Sequence, residues 1–457
     1  MINLNKKLAV ICFICCIGLL GCKKYLEEKT NGKLAVPTEL EDFQALMDNV
    51  GTINSSGISA AEISADDYVL TDEEFDALTD DYERRMNIWE KDYIFSTDTY
   101  NSWRYVYNSI YTANTVLIGL GKIPRSHNNS LTWDNVKGQA LFIRGNNLLD
   151  AAIIWCPLFD QASASTDLGL PLRMSTDFNE ISKRSSVQQT YDQIISDLIA
   201  AAAKLPVVSL SKHRPSKAAA YGLLARAYLA MRNYPQAYLY ADSCSLLSDG
   251  LMDFNDLDLK LKYPITINQN KETIYVRYLK SSSILNPTKI NIPTVLYNSF
   301  ETGDLRKDLF FTPNANGYYN FKGSYTGSDG HFSGVALNEI YLIKAECLAR
   351  ANQISQSMNV LNELLLKRWD KTKTYVSQNA DSEQAALSLI LKQRRMELIM
   401  RGLRWLDIRR LNKEGAGISL KRIYHHKEYI LPANDLRFVL PIPEDVIAIS
   451  GMEQNKR

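Results

Sequence analysis

The chain is short of the features that usually announce a function. Its 457 residues carry 52 basic and 51 acidic side chains, so neither charge is in surplus. Nucleic acid as the main ligand is excluded, because phosphate binding needs a basic excess to displace counterions. Histidine numbers only 5, and no H-E-x-x-H, G-x-S-x-G or phosphate-loop pattern occurs. Gly119-Leu120-Gly121 is a fragment of a dinucleotide fingerprint with no strand before it. The chain is therefore read as a non-enzyme without cofactor. Cysteine is sparse at 7. Cys12, Cys15 and Cys16 fall in the apolar start of the chain, while Cys156, Cys244 and Cys347 each sit in an apolar helical pattern. These last three read as buried small hydrophobes, with at most one disulfide among them. What the chain does have is an ordinary globular composition, 46% hydrophobic, and 25 tyrosines. Length alone predicts about two to four domains.

No apolar run reaches the roughly 20 residues that a membrane-spanning helix takes. The longest begins after Lys6 and Lys7, runs from Leu8 to Leu20 and ends Leu19-Leu20-Gly21-Cys22. A basic start, a short apolar stretch and small residues form a secretory leader, and the ending resembles a bacterial lipobox. The expectation is a leader over 1–21, cleavage before Cys22 and a lipid on its thiol. The polar Lys23-Lys24-Tyr25-Leu26-Glu27-Glu28 that follows resembles a surface-export tether. The protein is expected in the outer membrane, lipid-anchored and exposed on the cell surface.

Amphipathic helices recur along the rest. Residues 100–120, 133–156 and 187–204 place apolar side chains at steps of three and four, the second stopped by Pro157 and the third before Pro206. Tyr221, Leu224, Ala225 and Tyr228, then Asn233-Tyr234-Pro235, then Ala237, Ala241 and Cys244 follow the tetratricopeptide helix-pair pattern. A weaker copy follows at Tyr341, Ala345, Leu348, Leu361 and Leu364. Residues 250–335 break the pattern. Within them 272–279 alternates like a strand, and a Gly-rich stretch holds Tyr318, Tyr319, Phe321 and Tyr325. Residues 383–411 return to helix, with Arg394 and Glu397, and Arg404 and Asp407, spaced to pair at i,i+3. The tail 437–443 reads as extended, its two prolines forbidding a central strand.

Five stretches, in this order, resemble the SusD/RagB family of nutrient-binding outer-membrane lipoproteins. They are 190–205 (TYDQIISDLIAAAAKL), 214–230 (RPSKAAAYGLLARAYLA), 337–349 (LNEIYLIKAECLA), 393–410 (QRRMELIMRGLRWLDIRR) and 440–447 (LPIPEDVI). Gln393, Arg401 and Leu403 depart from the family pattern, where Glu, Glu and His are usual. The resemblance implies a mainly α fold, a tetratricopeptide-like scaffold of helix pairs with a loop-rich, irregular side. It implies one SusD-like domain over 22–457, with an N-terminal part of about 22–230 and a C-terminal part of about 231–457. It also implies a function: capture of an oligosaccharide and its delivery to a SusC-like TonB-dependent transporter. A peptide or other nutrient on the same fold, or a lipid-anchored helical scaffold for protein partners, are the alternatives.

Sugar rings present C–H faces that aromatic rings stack on, with polar neighbours for the hydroxyls. Aromatics in polar, non-periodic segments are therefore the candidates. The first group is Asp66, Asp67, Tyr68 and Trp89, in a segment that also holds Tyr82 and Tyr93. The second is Tyr318, Tyr319 and Tyr325. Trp103 and Tyr107 fall on the helical period and read as core. His425-His426 with Glu428 reads as a solvated pair, since adjacent histidines diverge. Asp66, Asp67 and Asp72 lack the Gly turn of a calcium loop, so no metal site is expected.

Overall fold

The computed structural model describes residues 36–96 and 101–457. The leader expected over 1–21 and the lipidation expected at Cys22 lie outside the described residues. The first part of the fold is a set of short helices: α1 (Leu40–Met47), α2 (Val50–Ile53), α3 (Ala60–Ser64), α4 (Asp72–Asp76) and α5 (Asp81–Asn87). The scaffold follows as α6 (Ser102–Leu120), α7 (Ser130–Trp155), α8 (Val187–Lys204), α9 (Lys217–Ala230) and α10 (Tyr234–Leu246). Beyond the irregular middle, with α11 (Thr294–Tyr297) and α12 (Arg306–Phe310), it resumes as α13 (Leu337–Arg350), α14 (Ile354–Leu366), α15 (Glu383–Glu397), α16 (Arg404–Lys413) and α17 (Glu444–Ser450).

Caps mark the boundaries as the sequence pattern requires. Ser186 accepts from the Gln189 N–H while Gln189 reaches back, a full capping box at the start of α8. Asn233 caps α10, with Pro235 in its first turn where no donor is lost. Neighbouring helices pack in succession: α6 on α7, α7 on α8, α8 on α9, α9 on α10, α10 on α13 and α13 on α14. The two tetratricopeptide-like pairs are thus α9–α10 and α13–α14, and α10 and α13 join them into one superhelix. Close approach depends on small residues. A β-carbon at Gly222 would lie 2.5 Å from Val335 Cγ1, and one at Gly119 would lie 2.1 Å from the ring of Phe43. Tyrosines fill wider gaps: Tyr228 and Tyr240 stack at 5.6 Å between α9 and α10.

The strands form four separate two-stranded antiparallel sheets among the described residues. The expected strand over 272–279 is only partly regular. Thr273–Tyr275 (β3) pairs with Val335–Ala336 (β6) across a register irregularity, and Tyr278 continues as an isolated bridge to Phe332. The remaining hairpins are β1 (Leu168–Pro171) with β2 (Arg184–Ser186), β4 (Phe311–Pro313) with β5 (Tyr319–Phe321), and β7 (Leu420–Tyr424) with β8 (Lys427–Leu431). His425 and His426 are the two-residue loop of the last hairpin, with φ of 50° and 60°. Two successive positive φ values give the turn whose twist matches the strands. The tail folds one short 3₁₀ turn, Leu436–Phe438, and then extends, Leu440 N–H bonding Ile154 O at 3.0 Å.

The motif residues prove to be buried ion pairs between helices. Arg144 of α7 grips Asp197 of α8 through two bonds of 2.7 Å. Arg226 of α9 grips Glu339 of α13 at 2.9 and 2.7 Å. Arg410 of α16 reaches Glu346 of α13 at 2.8 Å. The expected i,i+3 pairs are corrected. Arg394 bonds Asp407 at 2.8 Å instead of Glu397, Glu397 serves Arg306 and Arg368, and Arg404 turns to Asp66 at 2.7 Å. The reason is the break between α15 and α16, where Met400 and Gly402 have positive φ. It folds Arg394 back onto Asp407 and frees Glu397 for Arg306 of the irregular middle and Arg368 just after α14. Fully buried pairs of this kind add specificity more than net stability, since desolvation offsets much of their attraction.

Candidate functional site

The first group of sequence candidates gathers in one place, but inside the protein. Trp89 is 2% exposed and Tyr68 is 1% exposed. The Trp89 indole N–H donates to Ser64 O at 2.9 Å. Tyr68 donates to Ile63 O at 2.9 Å and accepts from Asn87 at 2.8 Å. Both rings face the Arg422 guanidinium, at 5.3 and 4.9 Å. Neither presents a free ring face for a sugar. Trp89 departs from the helical period because it closes the turn after α5 with φ of 58°, not because it faces solvent.

Asp66 and Asp67 are likewise occupied. Asp66 pairs with Arg404 and, at 3.0 Å, with Arg395. Burial works against its ionisation, but the two arginines outweigh it and hold its carboxyl below the usual range. Asp67 has only a 3.4 Å contact with Arg395. Burial, reinforced by Asp66, pushes its carboxyl up to about 6. Glu62 beside them is raised well above the usual carboxylate range, again by burial first and by Asp67 next.

The second group is split. Tyr325 is buried, donating to Glu272 at 3.0 Å and accepting from Asn338 at 2.9 Å. Tyr319 is half-buried and stacks on Tyr297 at 3.5 Å. Tyr318, half-buried at the turn of the β4–β5 hairpin, keeps part of its ring open. His425 bonds Asp72 and Asp76 at 2.9 Å each. Among the described residues no group of three or more His, Cys, Asp or Glu could hold a metal ion. Cys156, Cys244 and Cys347 are buried and free, and burial pushes the first two thiols up to about 12.

A large concavity lies elsewhere, a cleft of about 970 Å³ between α6, the 173–182 loop and α17. That is the size of a ligand of several sugar rings. Its floor is Trp103 stacked on Tyr107 at 4.6 Å, with Trp155 edge-on behind Trp103 at 4.9 Å. Its wall is a second pair, Tyr111 and Phe178, with ring centroids 5.2 Å apart at 27°. Phe178 is 80% exposed, so one stacked pair ends in an open aromatic face. The polar groups are Asn108, Arg173, Glu180 and the Arg104–Asp445 ion pair of 2.5 Å.

The loop carrying Phe178 is held firmly despite its exposure. Arg173 donates to the carbonyls of Asp177 and Glu180 and to Ser182 Oγ. Asn114 of α6 donates to Arg173 O at 2.8 Å and accepts from the buried Arg144 at 3.0 Å. The cleft wall is thereby coupled to the Arg144–Asp197 pair of the scaffold. Tyr107 donates to Pro171 O at 3.1 Å, and burial raises its hydroxyl well above the usual range. The cleft is hidden in the sequence because Tyr111 sits in a strongly periodic helix. Phe178 met the criterion applied to Trp89, an aromatic in a polar non-periodic segment (RMSTDFNEIS), and was the available signal.

A superhelix of tetratricopeptide-like pairs whose loops and terminal helix frame a cleft defines a class of helical-scaffold binding proteins. Within it, residues 24–229 match the profile of a family described as starch-binding and associating with the outer membrane, and residues 311–455 match that of the SusD family. The chain belongs to the SusD/RagB family. Solved structures agree in fold. A putative sugar binding protein from Bacteroides vulgatus is 19% identical, with a TM-score of 0.73 over 92% of this chain and 99% of that one. A SusD superfamily protein from Bacteroides thetaiotaomicron is 21% identical, with a TM-score of 0.73 over 92% and 100%. One from Bacteroides fragilis is 18% identical, with 0.72 over 91% and 99%. No curated protein matches the chain by sequence.

Proposed function

We propose that the protein is a lipid-anchored, cell-surface glycan-binding protein that receives an oligosaccharide in the α6–α17 cleft. It passes that ligand to a SusC-like TonB-dependent transporter and performs no chemistry on it. The observation that carries this reading is the open Tyr111–Phe178 pair on the rim of a cleft of about 970 Å³. Stacked rings offer a flat apolar face to sugar C–H groups, while Asn108, Arg173 and Glu180 meet the hydroxyls. The family's description as starch-binding and outer-membrane-associated, and the naming of one structural neighbour as a putative sugar binding protein, support it. So does the Leu19-Leu20-Gly21-Cys22 lipobox. No described helix is long and apolar enough to cross a membrane. A glycan-array screen of the purified protein tests it: binding to a defined oligosaccharide is expected. Silence across plant, host and microbial glycans overturns it.

A further inference from the structure

The 317–325 region borders a second, smaller pocket, of about 360 Å³, between the 260–263 segment, the β4–β5 hairpin and the 324–331 loop. We propose that this pocket is a separate subsite for a carboxylate-bearing sugar, a uronic-acid unit of an acidic glycan. The inference rests on the reading of the protein as a glycan binder and adds a second site with its own chemistry.

Three lysines, Lys260, Lys262 and Lys322, line the pocket against a single carboxylate, Asp329. They are not equivalent. Lys322 is drawn down onto the carbonyls of Leu259 and Leu261, at 2.7 and 3.4 Å. Burial lowers its pKa, and Asp308 and Asp258 act against that. Lys262 lies 4.6 Å from the Tyr263 ring and 3.6 Å from Asp329. Lys260 is exposed, and its ammonium has no partner among the described residues. Asp329 is also engaged by the Tyr263 hydroxyl at 2.8 Å. The rim therefore holds cationic donors that its one carboxylate does not neutralise.

His331 supplies the complementary group. It is 7% exposed and lines the same pocket. Its Nε2 lies 2.8 Å from Leu285 O, a carbonyl that only accepts, so Nε2 carries the proton. Its Nδ1 is buried without a partner and is therefore an acceptor in want of a donor. The ring is held by Phe321, 6.3 Å away at 23°, and burial lowers its pKa, keeping it neutral. A buried acceptor costs free energy unless a hydroxyl reaches it. A lysine rim binds a carboxylate as a point charge. An acidic sugar carries both groups on one ring, and the volume suits one or two rings.

The test is calorimetric titration of the purified full chain with trimers of galacturonate, glucuronate and mannuronate, each beside its neutral counterpart. At least one acidic trimer is expected to bind tenfold or more tighter than its neutral counterpart, with the advantage shrinking as salt is raised. The advantage is expected to disappear in Lys260→Ala/Lys262→Ala, two exposed changes that leave the fold intact, and to persist in Tyr111→Ala/Phe178→Ala. Absence of any acidic preference, or its survival in the double lysine variant, overturns the inference. Neutral glycan binding that is lost only with Tyr111 and Phe178 leaves the proposed function standing in that event.

Discussion

Arg404 and Asp66, 338 positions apart in the chain, meet at 2.7 and 3.1 Å. The contact ties α16, in the 393–410 motif, to the segment that follows α3. Beside it Asp67 has its carboxyl pushed up to about 6, chiefly by burial, against about 3.9 for an unfolded Asp.

The sign of the pH effect follows from that difference. Between pH 4 and 6 the folded protein holds a proton on Asp67 that the unfolded chain has released. The contribution of Asp67 therefore favours folding at low pH and is lost as pH rises through 6. The effect is on the order of 3 kcal/mol. Asp67→Asn is expected to raise Tm at pH 7.5 and to flatten the dependence between pH 7 and 5, measured by thermal unfolding. Asp66 acts oppositely: its lowered pKa gives stability present above about pH 4 and lost below it.

Trp89 and Tyr111 should separate cleanly. Trp89→Ala opens a cavity in the core and is expected to cost about 3–5 kcal/mol of stability, read as a lower urea midpoint. Tyr111→Ala removes an exposed wall of the cleft. It is expected to leave Tm within a few degrees while weakening glycan binding about tenfold, in line with the 0.5–1.5 kcal/mol of an aromatic stack.

Glu339→Gln leaves Arg226, 3% exposed, without its anion. A destabilisation of about 3–5 kcal/mol is expected, measured by denaturant unfolding. Replacing Arg226 and Glu339 together by Met and Leu should recover most of it.

Cys22→Ala is expected to abolish lipid labelling and move the protein out of the membrane fraction. Retention in the membrane without label contradicts the lipobox reading.

The scaffold was legible in the sequence because its signals are local. The period over 187–204, the stop before Pro206 and the tetratricopeptide offsets from Tyr221 to Cys244 with their Asn233-Tyr234-Pro235 turn act within a few residues, and the helices formed there. The partners of Arg394, Glu397 and Arg404 were not legible, because a break at 398–403 redirects them to residues such as Arg306 and Asp66 that spacing cannot relate. Trp89, Tyr68 and Tyr325 turn inward for a similar reason. Loop aromatics such as Trp89, Tyr68 and Tyr325 look free in sequence, but irregular backbone needs buried partners as much as helices do. Trp89 and Tyr68 supply them to the carbonyls of Ser64 and Ile63, and Tyr325 bonds the buried Glu272 carboxylate. Phe178 is exposed because its loop closes on itself through Arg173, so its ring has nothing of the core to cover.

The Tyr111–Phe178 wall is the surface proposed to hold an oligosaccharide. Titration of an array-identified glycan into the native protein and into Tyr111→Ala/Phe178→Ala tests it directly. At least a tenfold loss of affinity is expected in the variant, with its unfolding midpoint nearly unchanged. Equal affinity in a variant that folds as the native protein does would contradict it.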